Sequence, residues 1–106
     1  MMNRVWHGWT TPDNADAYEY LLKEEIFRTI DAMKVSGYRG ITLLRRTLDN
    51  GEVEFVTIMQ FESVEAVRQF AGADYRQAYV PEKARALLSR FDAQSQHYLV
   101  RHEHTA

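Results

Sequence analysis

The segment "EVEFVTIMQF" at residues 52–61 decides the fold, because it alternates like a β-strand and is apolar on both faces. One face carries Val53, Phe55, Thr57, Met59 and Phe61, and the other carries Val56, Ile58 and Gln60. An antiparallel strand with one wet face alternates apolar and polar residues. This pattern therefore predicts a strand that is covered on both sides.

Two further strands and a helix precede this segment. Residues 3–10 alternate with a period of two and predict a first strand. Thr11 and Pro12 then mark a helix start, since proline is well tolerated in the first turn. The helix continues as an apolar stripe of Tyr18, Leu21, Leu22, Ile26, Ile30 and Met33. Residues 38–48 predict a second strand, which the turn "DNG" at 49–51 joins to the segment above.

The C-terminal half predicts helices followed by one strand. Ser63 begins a helix that stops at Gly72, and residues 74–79 resemble a further helical turn. Pro81 opens a short helix with Ala84, Leu87, Leu88 and Phe91 facing inward, and a last strand covers 94–102. The order β-α-β-β-α-(α)-β is that of the ferredoxin-like split βαβ fold. We expect one α+β domain over residues 1–106, with a four-stranded antiparallel sheet and helices on one face.

The sheet face that the helices leave open is also apolar. The strand at 3–10 places Arg4, Trp6, Gly8 and Thr10 on the helix side. A large exposed apolar face indicates an interface, and the simplest partner is a second copy of the chain related by a twofold axis. We therefore predict a homodimeric α+β barrel whose interface includes Val5, His7, Trp9, Val56 and Ile58.

Composition limits the classes of partner. Thirteen basic and fifteen acidic residues give a formal charge of -2, which does not predict binding to nucleic acid. The chain has no cysteine, which suits a reducing cytoplasm. No apolar run approaches the ~20 residues of a membrane span, and no signal-peptide pattern begins the chain. We expect a cytoplasmic protein that binds neither nucleic acid nor membrane.

Three stretches carry a resemblance to a known family: "RVWHGWT" (4–10), "SGYRGITLLRR" (36–46) and "EFVTIMQFESVEAVRQF" (54–70). In this order they resemble the antibiotic biosynthesis monooxygenase family of dimeric α/β-barrel proteins. That family includes cofactor-independent oxygenases of polycyclic phenols, haem-degrading enzymes and proteins of unknown role. The resemblance implies a monooxygenase-like protein acting on a small planar aromatic or polyketide-like molecule in an apolar cavity between helices and sheet.

The resemblance also implies positions for the site. The Asn and Trp that hold a phenol in the cofactor-free members fall here on Thr57 and Phe61. In the haem-degrading members a helical Trp and an iron-ligating His fall on Phe70 and Val80. Because valine cannot ligate iron, we expect no cofactor. The predicted cavity residues are Trp6, Tyr18, Thr57, Met59, Phe61, Phe70, Tyr75 and Tyr79.

The residues leave the chemistry open. Thr57 or Tyr75 would place a substrate oxygen, and His7 is the natural candidate for a general base because its ordinary pKa lies near neutral pH. No carboxylate lies at strand spacing from His7, which favours an interface residue over a general base. His7 and His97 alone also lack a third metal ligand. The alternatives to an enzyme are a dimeric module that binds a small apolar ligand without catalysis, and a structural dimer with a filled core.

Overall fold

The structure is a computed structural model that describes residues 1–106. Its elements are β1 (Met2–Thr10), α1 (Pro12–Leu21), a π-helical turn (Leu22–Ile26), α2 (Phe27–Ala32), β2 (Tyr38–Thr47), β3 (Val53–Phe61), α3 (Val64–Ala71), α4 (Glu82–Arg85), β4 (Leu88–Phe91) and β5 (Gln96–Leu99). The antiparallel sheet has the order β2-β3-β1-β4, and β5 also pairs with β1. The predicted ferredoxin-like α+β fold is confirmed.

The register of the long strands assigns each side chain to a face. Along β3 every second residue, from Val53 to Phe61, is buried beneath the helices. Trp6 of β1 is paired with Thr57, so both lie on the helix side, whereas His7 is paired with Val56 on the open side. The alternation predicted for residues 3–10 therefore holds, and with it the assignment of Trp6 and His7 to opposite faces.

The last third of the chain corrects the prediction of a four-stranded sheet. The segment 88–91 is strand β4, not the end of a helix, and it pairs with residues 8–10 of β1. Strand β5 is shorter than predicted and pairs with residues 2–5 of the same β1 edge. Two short strands thus complete one long edge, which satisfies backbone groups that a helix at 88–91 would leave unpaired. The predicted helical turn at 74–79 is a loop, tied to the chain by a bridge between Gln77 and Gln94.

The first helix contains an irregularity that its apolar stripe did not predict. It begins at Pro12 as expected, but residues Leu22–Ile26 form a π-helical turn between α1 and α2. Such turns are rare in proteins and occur frequently at functional sites. None of the helices has the length and hydrophobicity needed to cross a membrane.

Two apolar clusters fill the space between the helices and the sheet. In the first, Tyr18 of α1 packs edge-on against Phe55 of β3 with ring centroids 4.9 Å apart. In the second, Phe61 and Val67 bring the end of β3 against α3. A cavity opens between these clusters, below the π-helical turn, and it is the candidate functional site of the protein.

Candidate functional site

A cavity of about 640 Å³ lies between the helices and the sheet. This volume is in the range that small-molecule sites occupy, and such sites are mostly apolar with a few polar groups. Tyr79, whose side chain is 87% exposed, lies at the mouth, whereas Thr57 and Met59 are buried at the floor. The apolar wall includes Leu22, Ile26, Phe27, Ile30, Ile41 and Met59. The chain therefore has an apolar site that is open at one end.

Arg4 lies on the floor of the cavity and is only 6% exposed. Its Nη1 donates to the carbonyl oxygen of Tyr75, and its Nη2 donates to that of Gln77 at 3.2 Å. The guanidinium also lies over the Phe70 ring, 5.7 Å from the centroid. These contacts fix the side chain in place, so the cation is held in position before any ligand binds.

No carboxylate forms an ion pair with Arg4. The other charged residues of the wall, Glu25 and Lys83, pair with each other at 3.0 Å and are exposed at the mouth. Burial lowers the pKa of Arg4, but an arginine remains protonated near neutral pH. The floor therefore carries one positive charge that the protein does not compensate.

His97 of β5 is the nearest titratable neighbour of this cation. Its Nε2 lies 3.1 Å from Nη1 of Arg4. Since a guanidinium can only donate, Nε2 accepts the hydrogen bond and the imidazole is neutral with its proton on Nδ1. Burial lowers the pKa of His97, and the charges of Arg4 and Arg76 lower it further. Protonation of His97 would place a second positive charge against the floor.

Thr57 and Trp6 offer different contacts to a ligand. The Thr57 side chain lies on the cavity floor, opposite Trp6 across the two strands, and its hydroxyl borders the cavity. The Trp6 indole also lines the cavity, but its Nε1 already donates to the carbonyl of Asp92 at 2.9 Å. A Cβ added at Gly8 would lie 2.8 Å from the Trp6 ring, so this glycine makes room for the indole. Thr57 can bind a ligand oxygen, whereas Trp6 can only supply a ring surface.

The predicted cavity residues do not all reach the wall. Trp6, Tyr18, Thr57, Met59, Phe70 and Tyr79 line it. Phe61 does not, because it is fully buried between the rings of Tyr38 and Phe70. Tyr75 packs its ring edge-on against His97 instead, and contributes to the floor through the backbone carbonyl that holds Arg4. The role of each lining residue in binding stays a prediction.

His7 lies on the other side of the sheet from the cavity. Its Nδ1 is 2.7 Å from Oδ2 of Asp92, which also accepts from the His7 backbone N–H at 3.1 Å. The imidazole stacks on Trp9, and Arg90 covers the Trp9 ring at 4.0 Å. The expectation that His7 lacks an orienting carboxylate is wrong, because the segment 88–91 is a strand rather than a helix and brings Asp92, which follows it, beside His7. This pair cannot contact a ligand in the cavity.

Comparison with solved structures identifies the fold. A candidate antibiotic biosynthesis monooxygenase from Bacillus cereus matches with a TM-score of 0.71 at 16% identity, covering 100% of this chain and 96% of that chain. Rv0793 from Mycobacterium tuberculosis matches with a TM-score of 0.61 at 19% identity, covering 98% of both chains. The chain has their fold. The resemblance predicted from the sequence is thus confirmed at the level of structure, while no family model and no curated protein sequence matches the chain.

The contact between Arg4 and His97 yields a testable pH dependence. We expect the His97 ring to titrate below the ordinary pKa of 6.5, and Arg4→Gln to raise that pKa because it removes one of the lowering charges. The unfolded chain binds this proton more readily, so the contribution of neutral His97 to stability is lost as the pH falls below about 6.5. An NMR titration of the imidazole signals, with His97→Gln to assign the peak, measures the pKa. An Arg4→Gln protein with an unchanged His97 pKa would contradict the contact.

Proposed function

We propose that the chain is a cofactor-independent monooxygenase-like enzyme that acts on a small planar aromatic or polyketide-like molecule bound in the cavity. The observation that carries the proposal is an apolar cavity whose floor holds one uncompensated cation and a hydroxyl, Arg4 and Thr57. Similarity to a candidate antibiotic biosynthesis monooxygenase over the whole chain supports the same activity.

The floor suits the formation of an enolate or phenolate. In a dry site a fixed cation stabilises a neighbouring anion far more than it does in water. Arg4 would therefore lower the pKa of a bound C–H or O–H acid, and Thr57 would donate a hydrogen bond to the resulting oxyanion. The apolar wall would exclude water from this anion.

The carbanion form of such a substrate can react with dioxygen without a metal. The substrate C–H passes its proton to solvent at the cavity mouth, the carbanion transfers electrons to O₂, and a C–O bond forms. The resulting peroxide anion takes a proton back from solvent and becomes a hydroperoxide. Loss of water leaves a carbonyl, so a CH₂ group and O₂ become C=O and H₂O. The substrate is oxidised and O₂ is reduced, and no other co-reactant is required.

A second candidate function is ligand binding without catalysis. It is favoured by the absence of an evident general base on the wall. Glu25 is paired with Lys83 at the mouth, and burial raises the pKa of Tyr18, which keeps its hydroxyl protonated. Deprotonation would have to rely on the acidity of the substrate and on Arg4, and a ligand without an acidic proton would simply bind.

We propose further that two copies associate through the open face of the sheet. This face carries Val5, His7 and Trp9 on β1 beside Val56 and Ile58 on β3. Leu44 of β2, paired with Val56, extends the same apolar surface and is exposed in the single chain. Burial of this face in a twofold dimer would remove it from water while leaving the cavity mouth open on the helix side.

The enzymatic proposal is tested by oxygen uptake with a panel of anthrones and hydroquinones. We expect the wild-type protein to consume O₂ with at least one of them. Thr57→Val should lower kcat/KM by about tenfold, because it removes a hydrogen bond to a developing anion. Thr42→Val makes the same change on the open face of β2 and should leave kcat/KM unchanged. An active protein whose Thr57→Val variant retains full activity would exclude this role for Thr57, and a lack of uptake throughout would favour the binding function.

The association proposal is tested by sedimentation at micromolar concentration. We expect the wild-type chain to sediment at twice its monomer mass of 12.4 kDa. Ile58→Arg places a charge in the open face and should give a monomer. The matched control is Tyr20→Arg, since Tyr20 is exposed on the helix side and its replacement should leave the dimer intact. A wild-type monomer would contradict the proposal.

A further inference from the structure

We infer that the cavity selects apolar aromatic acids, and that the ligand carboxylate pairs with Arg4 at the floor. This inference rests on the proposed use of the cavity as a ligand site and specifies the chemical class of the ligand. It concerns only the charge and the hydrogen bonds of Arg4 and does not depend on the oxygen chemistry. With an acid bound, the carboxylate occupies Arg4, and Thr57 remains to donate to an oxyanion formed elsewhere on the ligand.

The Arg4 guanidinium has hydrogen-bond donors that the protein leaves unused. A guanidinium has five N–H donors. In Arg4, the two N–H groups of Nη1 donate to the Tyr75 carbonyl and to His97, and one N–H group of Nη2 donates to the Gln77 carbonyl. The Nε–H and one Nη2 hydrogen have no acceptor in the protein. Two N–H groups of one guanidinium are what a carboxylate needs for bidentate binding.

The positive charge on the floor has no negative partner in the protein. All three partners of Arg4 are uncharged: two are backbone carbonyls and the third is the neutral imidazole of His97. A buried charge without a partner is costly, and proteins normally supply a counter-charge. Here the only carboxylate of the wall, on Glu25, is held at the mouth by Lys83. An anionic ligand would supply the missing negative charge.

The surroundings of the cation fit a ligand with one acidic end. Phe70 covers the guanidinium and lies on the wall itself, and the buried residues Thr57 and Ser95 line the same cavity. The rest of the wall is mostly apolar and includes Ile26 and Ile30 of the helix layer. A ligand with an acidic end and an apolar body therefore fits with its carboxylate inward and its rings directed toward the mouth.

The experiment compares two fluorescent probes that differ in charge, anthracene-2-carboxylate and anthracene-2-carboxamide. Their dissociation constants are measured by fluorescence titration at pH 7.5. We expect the wild-type protein to bind the carboxylate at least about tenfold more tightly, as hydrogen bonds to a charged group imply. Arg4→Gln should remove this preference. The matched control is the double variant Glu25→Gln/Lys83→Gln, because it removes the other cation of the wall together with the carboxylate that it pairs with, and it should leave the preference intact.

Two further variants keep the test decisive. Ile26→Trp narrows the cavity and should weaken both probes, which locates the binding in the cavity even if Arg4→Gln does not fold. Arg4→Lys keeps the charge but loses the paired donors, and should retain part of the preference. Equal affinity of the wild-type protein for the two probes would overturn the inference, as would loss of the preference in the Glu25→Gln/Lys83→Gln variant. A carboxylate preference without oxygen uptake would refute the enzymatic function alone, whereas uptake without the preference would refute the ligand class alone.

Discussion

The hydrogen bonds of the buried Arg4 side chain join the parts of the chain that enclose the cavity. Arg4 lies on β1, and its partners come from the loop after α3 and from β5. The backbone carbonyls of Tyr75 and Gln77 can point at the floor only because this loop is neither helix nor strand and leaves them free. Together with the Gln77–Gln94 bridge, this side chain holds the loop in place, and it puts a charge at the end of an apolar cavity.

The two faces of the sheet have different roles because the side chains of a strand alternate. On β1, Arg4, Trp6 and Gly8 face the helices. Arg4 and Trp6 line the cavity, and Gly8 makes room for the Trp6 ring. The intervening residues reach the open face, where His7 is held by Asp92. A shift of the register by one residue would exchange these faces and move the cation out of the cavity. The pairing of Trp6 with Thr57 is therefore as important to the proposed site as any side-chain contact.

The sequence predicted the features that depend on the alternation of residues within a strand. It missed those that depend on pairing between strands that are distant in the chain. The alternation of β1 and β3 placed Trp6, Thr57 and Met59 on one face. The spacing of Leu87, Leu88 and Phe91 fits a helix, and only the unpaired edge of β1 makes the segment 88–91 a strand. For this reason the sequence did not predict Asp92 as the carboxylate partner of His7. A signal for Arg4 did exist, since it is a charged residue on the apolar face of a strand, but its partners come from backbone atoms that no sequence pattern marks.

The central claim is that the cavity between helices and sheet binds an anion at Arg4. The most direct test is a crystal structure of the protein with anthracene-2-carboxylate. The account predicts carboxylate oxygens about 2.7–2.9 Å from the Arg4 nitrogens, with the rings between the helix layer and the sheet. A ligand bound on the open face of the sheet, or one whose carboxylate lies at the mouth beside Lys83, would contradict it.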